Sequence, residues 1–158
     1  MKQNLLTVVP NKEYQDSLQK CLVVRQYCGE AGVLRVSLVG KKICAAVFEQ
    51  VDSVQEFPAV DNEANSDALE LMVTGTPFQL QVWQATLCIA PGAVTTYQQI
   101  AERIGKPQAH RAVANALASN KVAYFIPCHR VLRKDGSLGG YRWGIEIKRA
   151  LLKAEGAL

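Results

Sequence analysis

The chain has 158 residues, of which 49% are hydrophobic and 20% are charged, and its formal net charge is +4. This length can bury one good core or two small layers, and the hydrophobic content excludes an intrinsically disordered chain. No run of 18 apolar residues occurs, and residues 1–10 lack the apolar core of a signal peptide. We therefore expect a soluble, cytoplasmic protein that makes no membrane contact.

Charge is unevenly distributed along the chain. Residues 1–75 contain 7 Lys/Arg and 10 Asp/Glu, a net of −3, whereas residues 76–158 contain 11 and 4, a net of +7. The basic half is where a polyanion such as nucleic acid would bind. Basic surfaces also occur for solubility alone, so charge by itself favours nucleic acid only modestly.

The cysteines and histidines argue against disulfides and metals. Five cysteines are widely spaced and form no C-x-x-C pair, which indicates reduced thiols, as in the cytosol. With only His110 and His129 as imidazoles, a zinc site would need several distant cysteines to converge. We expect no metal and no cofactor.

Short apolar segments between glycines predict three strands in the first half, at residues 21–27, 32–39 and 42–48. In the second of these, Leu34, Val36 and Leu38 share one face, and Arg35 and Ser37 share the other. The pattern indicates an antiparallel sheet with one face covered.

The next stretch, residues 49–75, is acidic and mixed in pattern, which predicts a connector with one helix near residues 64–72. We expect residues 1–75 to form a small N-terminal domain with an antiparallel three-stranded sheet and this connector. Residues 76–158 would form a helical domain, so the fold class is α/β.

Two capping-box signals open helices in the second half. Thr76 with Gln79, and Pro77 at the first helical position, predict a helix over residues 77–89. Its apolar face would consist of Phe78, Val82, Ala85 and Ile89. Thr96 with Gln99 predicts a short helix that Gly105 closes.

A third helix, to about Ser119, completes a helix-turn-helix pattern. Its inward face would consist of Ala109, Ala112, Val113, Ala116 and Leu117. Its outward face would include His110, Arg111, Ala114, Asn115 and Ala118. An alanine-rich packing helix without DNA contact fits this pattern equally well. A last helix, over residues 144–155, would turn Leu151 and Leu152 inward.

The most reactive stretch of the chain is Ile126, Pro127, Cys128, His129, Arg130 and Val131. The apolar Tyr124, Phe125 and Ile126 predict a buried strand that delivers Cys128 to its end. A thiol is a nucleophile as thiolate, which a neighbouring base or cation favours. Contact between Cys128 and His129 can be direct or through a water, and a buried structural cysteine is the alternative.

With these residues in view, residues 76–158 resemble the O6-alkylguanine-DNA alkyltransferases, also called methylated-DNA-protein-cysteine methyltransferases. The Pro-Cys-His-Arg core with its flanks carries the resemblance. The other matching motifs are Thr76-Pro77-Phe78, Val82-Trp83, Thr96-Tyr97, Gly105-Lys106-Pro107, Arg111-Ala112-Val113 and Asn120. The resemblance implies a winged-helix-like domain that acts as a monomer on double-stranded DNA containing alkylated guanine.

The resemblance also implies catalytic roles. Cys128 would accept the alkyl group irreversibly in a single turnover, and O4-methylthymine would be a second candidate lesion. His129 would be the general base, acting through a water, and Glu155 would orient it. Asn120 would hold the hydrogen-bonded network, and Tyr97 would assist proton delivery to the guanine.

DNA contact is implied for a second set of residues. Arg111 would take the place of the flipped-out base in the duplex. The full implied DNA-contact set is Arg111, Tyr97, Asn115, Ala112 and Arg130. The implied substrate pocket consists of Val131, Tyr141 and Arg142.

The sequence departs from the family at two positions. Ala68 stands where some members have a zinc-ligating histidine, and Arg142 stands where others have a small polar residue, which leaves the pocket rim open to question.

Two other functions remain as alternatives. A DNA binder on this scaffold without chemistry would lack the cysteine, and a thiol hydrolase would turn over.

Overall fold

The computed structural model describes residues 5–49 and 70–158, and the chain divides into two compact units. The first unit comprises Met1–Thr74, within the described ranges, together with Lys121–Phe125. The second unit comprises Gly75–Asn120 and Ile126–Leu158. The segment Lys121–Phe125, predicted to lie in the second domain, therefore packs with the first unit.

In the described residues, the first unit is built on a sheet of five strands rather than the predicted three. The strands are β1 (Leu5–Val8), β2 (Leu22–Tyr27), β3 (Val33–Val39), β4 (Lys42–Glu49) and β5 (Glu70–Val73), in the order β1-β5-β4-β3-β2. The three predicted strands are confirmed as β2, β3 and β4, and they pair antiparallel. The prediction of a wholly antiparallel sheet is wrong, because β5 pairs parallel with both β1 and β4.

Residues 70–72 belong to β5, so the helix predicted near residues 64–72 is wrong for this part. The remainder of that predicted helix and Ala68 lie outside the described residues. A run of four residues is too short for its period to separate a strand from a helix. Parallel pairing also joins segments that are far apart in the chain, which local pattern does not reveal.

Helix α1 (Asn11–Gln19) packs on the sheet of the first unit, and the sequence reading missed it. Tyr14 is buried and donates its hydroxyl hydrogen bond to the carbonyl of Cys44 at 2.7 Å. In β3, Leu34 and Val36 are buried as predicted. Ser37, predicted on the opposite, exposed face, is also buried, since the β3–β4 register shifts at this residue and a bulge interrupts the alternation.

Four helices form the second unit: α2 (Pro77–Leu87), α3 (Tyr97–Arg103), α4 (His110–Ala118) and α5 (Ile145–Ala154). Both predicted capping boxes are confirmed, at Thr76 with Gln79 and at Thr96 with Gln99. The short strands β6 (Thr95–Thr96) and β7 (Val131–Leu132) pair in parallel. These caps and pairings fix where α2 and α3 begin.

Helix α4 presents its exposed face as Arg111, Ala112, Asn115 and Ala118. Its buried face consists of Val113, Ala116 and Leu117. The prediction that Ala112 turns inward is therefore wrong. A methyl side chain adds little apolar area, so an alanine at the border of the buried stripe can lie on either side.

The strand predicted before Cys128 is wrong. Residues 121–126 contain one isolated parallel bridge, between Val122 and Ala46 of β4, and otherwise form turns. Tyr124 has a φ of 69° and is 41% exposed. This left-handed backbone is costly for an aromatic residue and cannot continue a strand. The apolar run of residues 124–126 therefore forms a turn. Cys128 begins a one-turn 3-10 helix, Cys128–Arg130.

Candidate active site

The 3-10 turn Cys128–Arg130 is buried at all three positions, with exposures of 6%, 0% and 8%. Successive side chains in such a turn diverge by about 120°. Cys128 and His129 are neighbours in sequence, yet they serve different contacts. The thiol meets Asn120, whereas the imidazole meets Glu155.

Asn120 anchors the thiol from the end of α4. Its Nδ2 donates to Cys128 Sγ at 3.4 Å and to the carbonyl of Ile126 at 3.2 Å, and the residue is fully buried. The two contacts fix the thiol relative to the chain that precedes it. The structure thus brings Asn120 to Cys128, and its role in the reaction stays a prediction.

A cavity of about 390 Å³ opens above the thiol, within the second unit. It is lined by Tyr97, Ala114, Asn115, Leu117, Ala118, Cys128, Gly140, Tyr141 and Arg142. This volume lies in the range of small-ligand sites. The structure therefore brings Tyr97, Asn115, Tyr141 and Arg142, all of them predicted, to one cavity with Cys128.

Burial raises the pKa of the Cys128 thiol above its ordinary value. The Asn120 amide, the Tyr141 hydroxyl and the charge of Lys148 act in the opposite direction and reduce the shift. The Tyr141 hydroxyl makes no well-aligned hydrogen bond among the described residues, so its effect on the thiol is electrostatic. At neutral pH the resting cysteine is a thiol that must lose its proton before it can attack.

His129 and Arg130 share the carboxylate of Glu155. His129 Nε2 lies 3.0 Å from Glu155 Oε1, and Arg130 reaches both carboxylate oxygens, with Nε to Oε2 at 2.8 Å and Nη2 to Oε1 at 2.7 Å. Burial alone would raise the pKa of Glu155, but the hydrogen bonds from His129 and Arg130 outweigh it and lower that pKa to about 2. Glu155 is therefore a carboxylate at neutral pH and accepts from both neighbours.

This pattern assigns the histidine tautomer. The pKa of His129 is lowered, mainly by burial, so the ring is neutral at pH 7. An ionised Glu155 can only accept, which places the single ring proton of the neutral imidazole on Nε2. Nδ1 is then the nitrogen that can take a proton.

The structure contradicts one predicted DNA contact. Arg130 is buried, and its guanidinium donates to Glu155 and, at 2.6 Å, to the carbonyl of Ile89. A side chain committed to these interior acceptors does not offer its charge to a phosphate. The prediction of a DNA contact for Arg130 is wrong because the sequence does not show in which direction a side chain points.

The remaining predicted residues lie in three places. Arg111, Ala112 and Asn115 are exposed together on α4. Arg142 lies at the rim of the cavity, where its Nη1 donates to the carbonyls of Asn120 at 3.2 Å and Ala118 at 3.4 Å. Val131 does not line the cavity. It is fully buried in β7.

The sequence reading missed one residue of the site, Lys148 in α5. It is fully buried, and its Nζ donates to the carbonyl of Val131 at 2.7 Å and to the carbonyl of Leu138. Its ammonium also lies 6.0 Å from the centre of the Tyr97 ring. A signal was present, because Lys148 stands three and four residues before Leu151 and Leu152, on the apolar face of α5.

Residues 5–49 and 70–158 contain neither a cluster of metal ligands nor a membrane-spanning helix. No group of three or more His, Cys, Asp or Glu side chains converges there as metal ligands would. No helix in the same ranges is long and apolar enough to cross a membrane.

Comparison with known proteins places these features in context. Residues 77–157 match the profile of the 6-O-methylguanine DNA methyltransferase DNA-binding domain. The chain is 57% identical over 88 residues to the regulatory protein Ada of Salmonella typhimurium, covering 56% of this chain and 25% of that protein. It is 46% identical over 99 residues to the methylated-DNA-protein-cysteine methyltransferase of Kluyveromyces lactis, covering 63% of this chain and 51% of the relative.

The chain thus spans a quarter to about half of the length of these two relatives. Among solved structures, it is similar to Mycobacterium tuberculosis OGT in complex with DNA, with a TM-score of 0.71 and 31% identity. That match covers 85% of this chain and 92% of the other. The O6-methylguanine methyltransferase of the same organism gives a TM-score of 0.68 at the same identity.

Proposed function

The chain belongs to the 6-O-methylguanine DNA methyltransferase family, and from that premise we propose that it repairs O6-alkylguanine in double-stranded DNA. The alkyl group passes irreversibly to the protein's own Cys128 in a single turnover. One observation carries the proposal: the Cys128 thiol forms part of a cavity next to α4. O4-methylthymine is a second candidate lesion, since it also carries its alkyl group on an exocyclic oxygen.

The proposed reaction conserves atoms and charge. Cys128 gives its proton to Nδ1 of His129 through a bridging water, because the two side chains point apart. The thiolate attacks the alkyl carbon in line, the sulfur–carbon bond forms, and the carbon–oxygen bond breaks with its electron pair on the guanine oxygen. The proton returns to the guanine, with assistance from Tyr97. The products are a thioether and an unmodified guanine, and no cofactor is consumed.

Glu155 prepares His129 for this role. Because Glu155 is ionised and accepts from Nε2, it orients the imidazole and stabilises the positive charge that forms when Nδ1 takes the proton. Arg130 holds the carboxylate in place with two donors. We propose Arg130 as a positioning residue rather than a DNA contact.

The exposed face of α4 is the proposed DNA surface. Arg111, Ala112 and Asn115 are exposed together, and the small Ala112 and Ala118 let the helix approach a nucleic-acid backbone closely. A base inside a duplex is out of reach of a buried thiol, so it must rotate out of the stack. Arg111 would fill the gap that it leaves.

The proposed substrate pocket is the cavity above Cys128, with Tyr141 and Arg142 on one wall. The two hydrogen bonds of Arg142 tie its loop to the C-terminal end of α4. Val131 contributes through its carbonyl, which fixes Lys148, rather than through its side chain. The backbone carbonyls of Ala118 and Asn120 thereby hold the wall of the pocket that contains Arg142.

We also propose that one chain suffices and that it acts in the cytoplasm. All residues of the proposed site belong to the second unit of a single chain, which supports a monomer. We propose that residues 76–158 carry DNA binding and alkyl acceptance and that residues 1–75 form a separate supporting domain. The five cysteines are free thiols, as expected in a reducing compartment.

The test is a stoichiometry measurement. Duplex DNA containing O6-methylguanine is incubated with limiting protein, and restored guanine is quantified after digestion. The proposal predicts a plateau at one guanine per protein, no restoration by Cys128→Ala, and normal restoration by Cys88→Ala, which alters an exposed cysteine. Continued turnover would favour a thiol hydrolase, and binding without restoration would favour a DNA binder without chemistry.

A further inference from the structure

Lys148 is a buried cation that takes no part in the reaction steps proposed above. Its side chain is fully buried, and its ammonium hydrogen bonds are made to two neutral carbonyls, those of Val131 and Leu138. It makes no ion pair with a carboxylate in the described part of the chain. A buried charge without a counter-charge is costly, so its retention needs a reason.

The charges around Cys128 supply that reason. Glu155 is one carboxylate, and the guanidinium of Arg130 already neutralises it through two donors. The ammonium of Lys148 is therefore left as a net charge of +1 in a buried site with a neutral His129. When Cys128 passes its proton to His129, the total is unchanged, but a thiolate appears as the negative partner of Lys148.

We propose that the Lys148 ammonium is the counter-charge of the Cys128 thiolate and that its two carbonyl contacts also fix the wall of the pocket. The inference rests on the proposed function for its biological meaning. Lys148 acts through Cys128 and touches no reacting atom of the substrate, so it is a positioning residue.

The directions of the pKa shifts of the two groups agree with this assignment. Burial lowers the pKa of Lys148 to about 8, and the charge of Cys128 acts in the opposite direction, as expected for an ion pair. Lys148 in turn lowers the pKa of the Cys128 thiol. The other titratable or charged groups that influence this pair are Tyr97, His129, Arg130, Arg133, Tyr141 and Glu155.

The contacts of Lys148 join segments of the chain that adjoin lining residues of the cavity. Val131 belongs to β7, directly after the catalytic turn, and Leu138 precedes the loop that carries Tyr141. The ammonium also lies 6.0 Å from the centre of the ring of Tyr97, a lining residue of the cavity. One cation thus contacts the strand, the loop and the helix that surround the thiol.

The test measures the ionisation of Cys128 without DNA. Carboxamidomethylation by iodoacetamide is followed against pH, and the Cys128 peptide is quantified by mass spectrometry. In Lys148→Gln, which keeps a hydrogen-bond donor and removes the charge, the rate of Cys128 alkylation at pH 7, where Lys148 is still protonated, should fall by about tenfold. Lys148→Arg should restore most of it, and the exposed Lys153→Gln should match the unaltered protein.

An unchanged rate at pH 7 in folded Lys148→Gln overturns the inference, because removal of the charge must then leave the thiolate fraction unchanged. If the variant does not fold, the test moves to the pH profile of the unaltered protein. The logarithm of its alkylation rate should rise with a slope below one once Lys148 loses its proton, at a pKa of about 8, and a slope that stays at one through this pH overturns the inference. Since neither assay contains DNA, its failure is distinguishable from failure of alkyl transfer.

Discussion

At the scale of single residues, Glu155 organises the charges behind the thiol. Its carboxylate accepts hydrogen bonds from the ring of His129 and from two nitrogens of the Arg130 guanidinium. The ionised carboxylate therefore orients both side chains. The low pKa of Glu155 keeps that arrangement intact across the physiological range. Two predictions follow from the carboxylate, one for rate and one for stability.

The first prediction concerns the rate of alkyl transfer. Glu155→Gln removes the charge that stabilises protonated His129, so the single-turnover rate should fall by about 10-fold to 100-fold, on the order of 2 kcal/mol. DNA affinity should be nearly unchanged, because Glu155 is not on the exposed face of α4. Glu146→Gln, at an exposed position of α5, is the control. Equal rates for all three proteins would remove Glu155 from the mechanism.

The second prediction concerns acid stability. The folded-state pKa of Glu155 is about 2, below its usual 4.5, so the carboxylate stabilises the folded protein above about pH 4.5. That contribution is lost as the pH falls from 4.5 towards 2. The free energy of unfolding by urea should therefore fall more steeply in this window for the unaltered protein than for Glu155→Gln. Parallel curves would contradict the assigned ion pairs.

At the scale of elements, α4 carries the proposed DNA contact and the turn before β7 carries the proposed nucleophile. Arg111 lies on the exposed face of α4, whereas Cys128 lies in the buried turn. A substitution at Arg111 therefore does not touch Cys128, and a substitution at Cys128 does not touch the exposed face of α4. This separation makes the proposed base extrusion testable apart from alkyl transfer.

Arg111→Ala should slow repair of duplex DNA strongly, because the extruded base leaves an unfilled gap in the stack. Single-turnover assays should show a loss of about 10-fold or more on the duplex and little loss on free O6-methylguanine, which needs no extrusion. Arg149→Ala, which removes the same charge from an exposed site on α5, should leave both rates unchanged. Equal losses on both substrates would assign Arg111 to the fold or pocket instead.

The elements also show what local sequence can reveal. The helices with capping boxes at Thr76 and Thr96 were predicted correctly, since a cap needs only residues three apart. The strand predicted before Cys128 was wrong, because Tyr124 adopts a left-handed backbone that only the surrounding fold selects. Strand β5 was missed because its partners are β1 and β4, far from it along the chain.

The candidate site shows the same division. The residues that we propose as catalytic were named through the family resemblance. The structure brings Asn120 to Cys128, and Glu155 to His129, although 8 and 26 residues separate them. Lys148 and the inward direction of Arg130 escaped notice. Both depend on which carbonyls and carboxylates a cation meets in three dimensions, which residue type and spacing do not specify.

At the scale of the whole molecule, charge divides the chain. The net +7 of residues 76–158 coincides with the part that holds the cavity and α4, whereas residues 1–75 carry −3. Lysine and arginine near phosphates release counterions on binding, so affinity for duplex DNA should fall steeply with salt. The basic part should therefore dominate DNA binding.

We expect the Kd for duplex DNA to rise by about tenfold or more between about 50 and 200 mM salt. Fluorescence anisotropy with an unmodified duplex measures this directly. Cys128→Ala should follow the same curve, because it removes none of the Lys and Arg side chains of residues 76–158. A flat response would show that residues 76–158 do not bind DNA through their charge.

The central claim is that the alkyl group ends on Cys128, once per molecule. The most direct test uses duplex DNA with an O6-methylguanine whose methyl group is deuterated, followed by intact-protein and peptide mass spectrometry. The account predicts one labelled methyl group per protein, located on the Cys128 peptide, equal in amount to the guanine restored, and absent from Cys128→Ser. Label on another residue, or guanine restored without label on the protein, would contradict it.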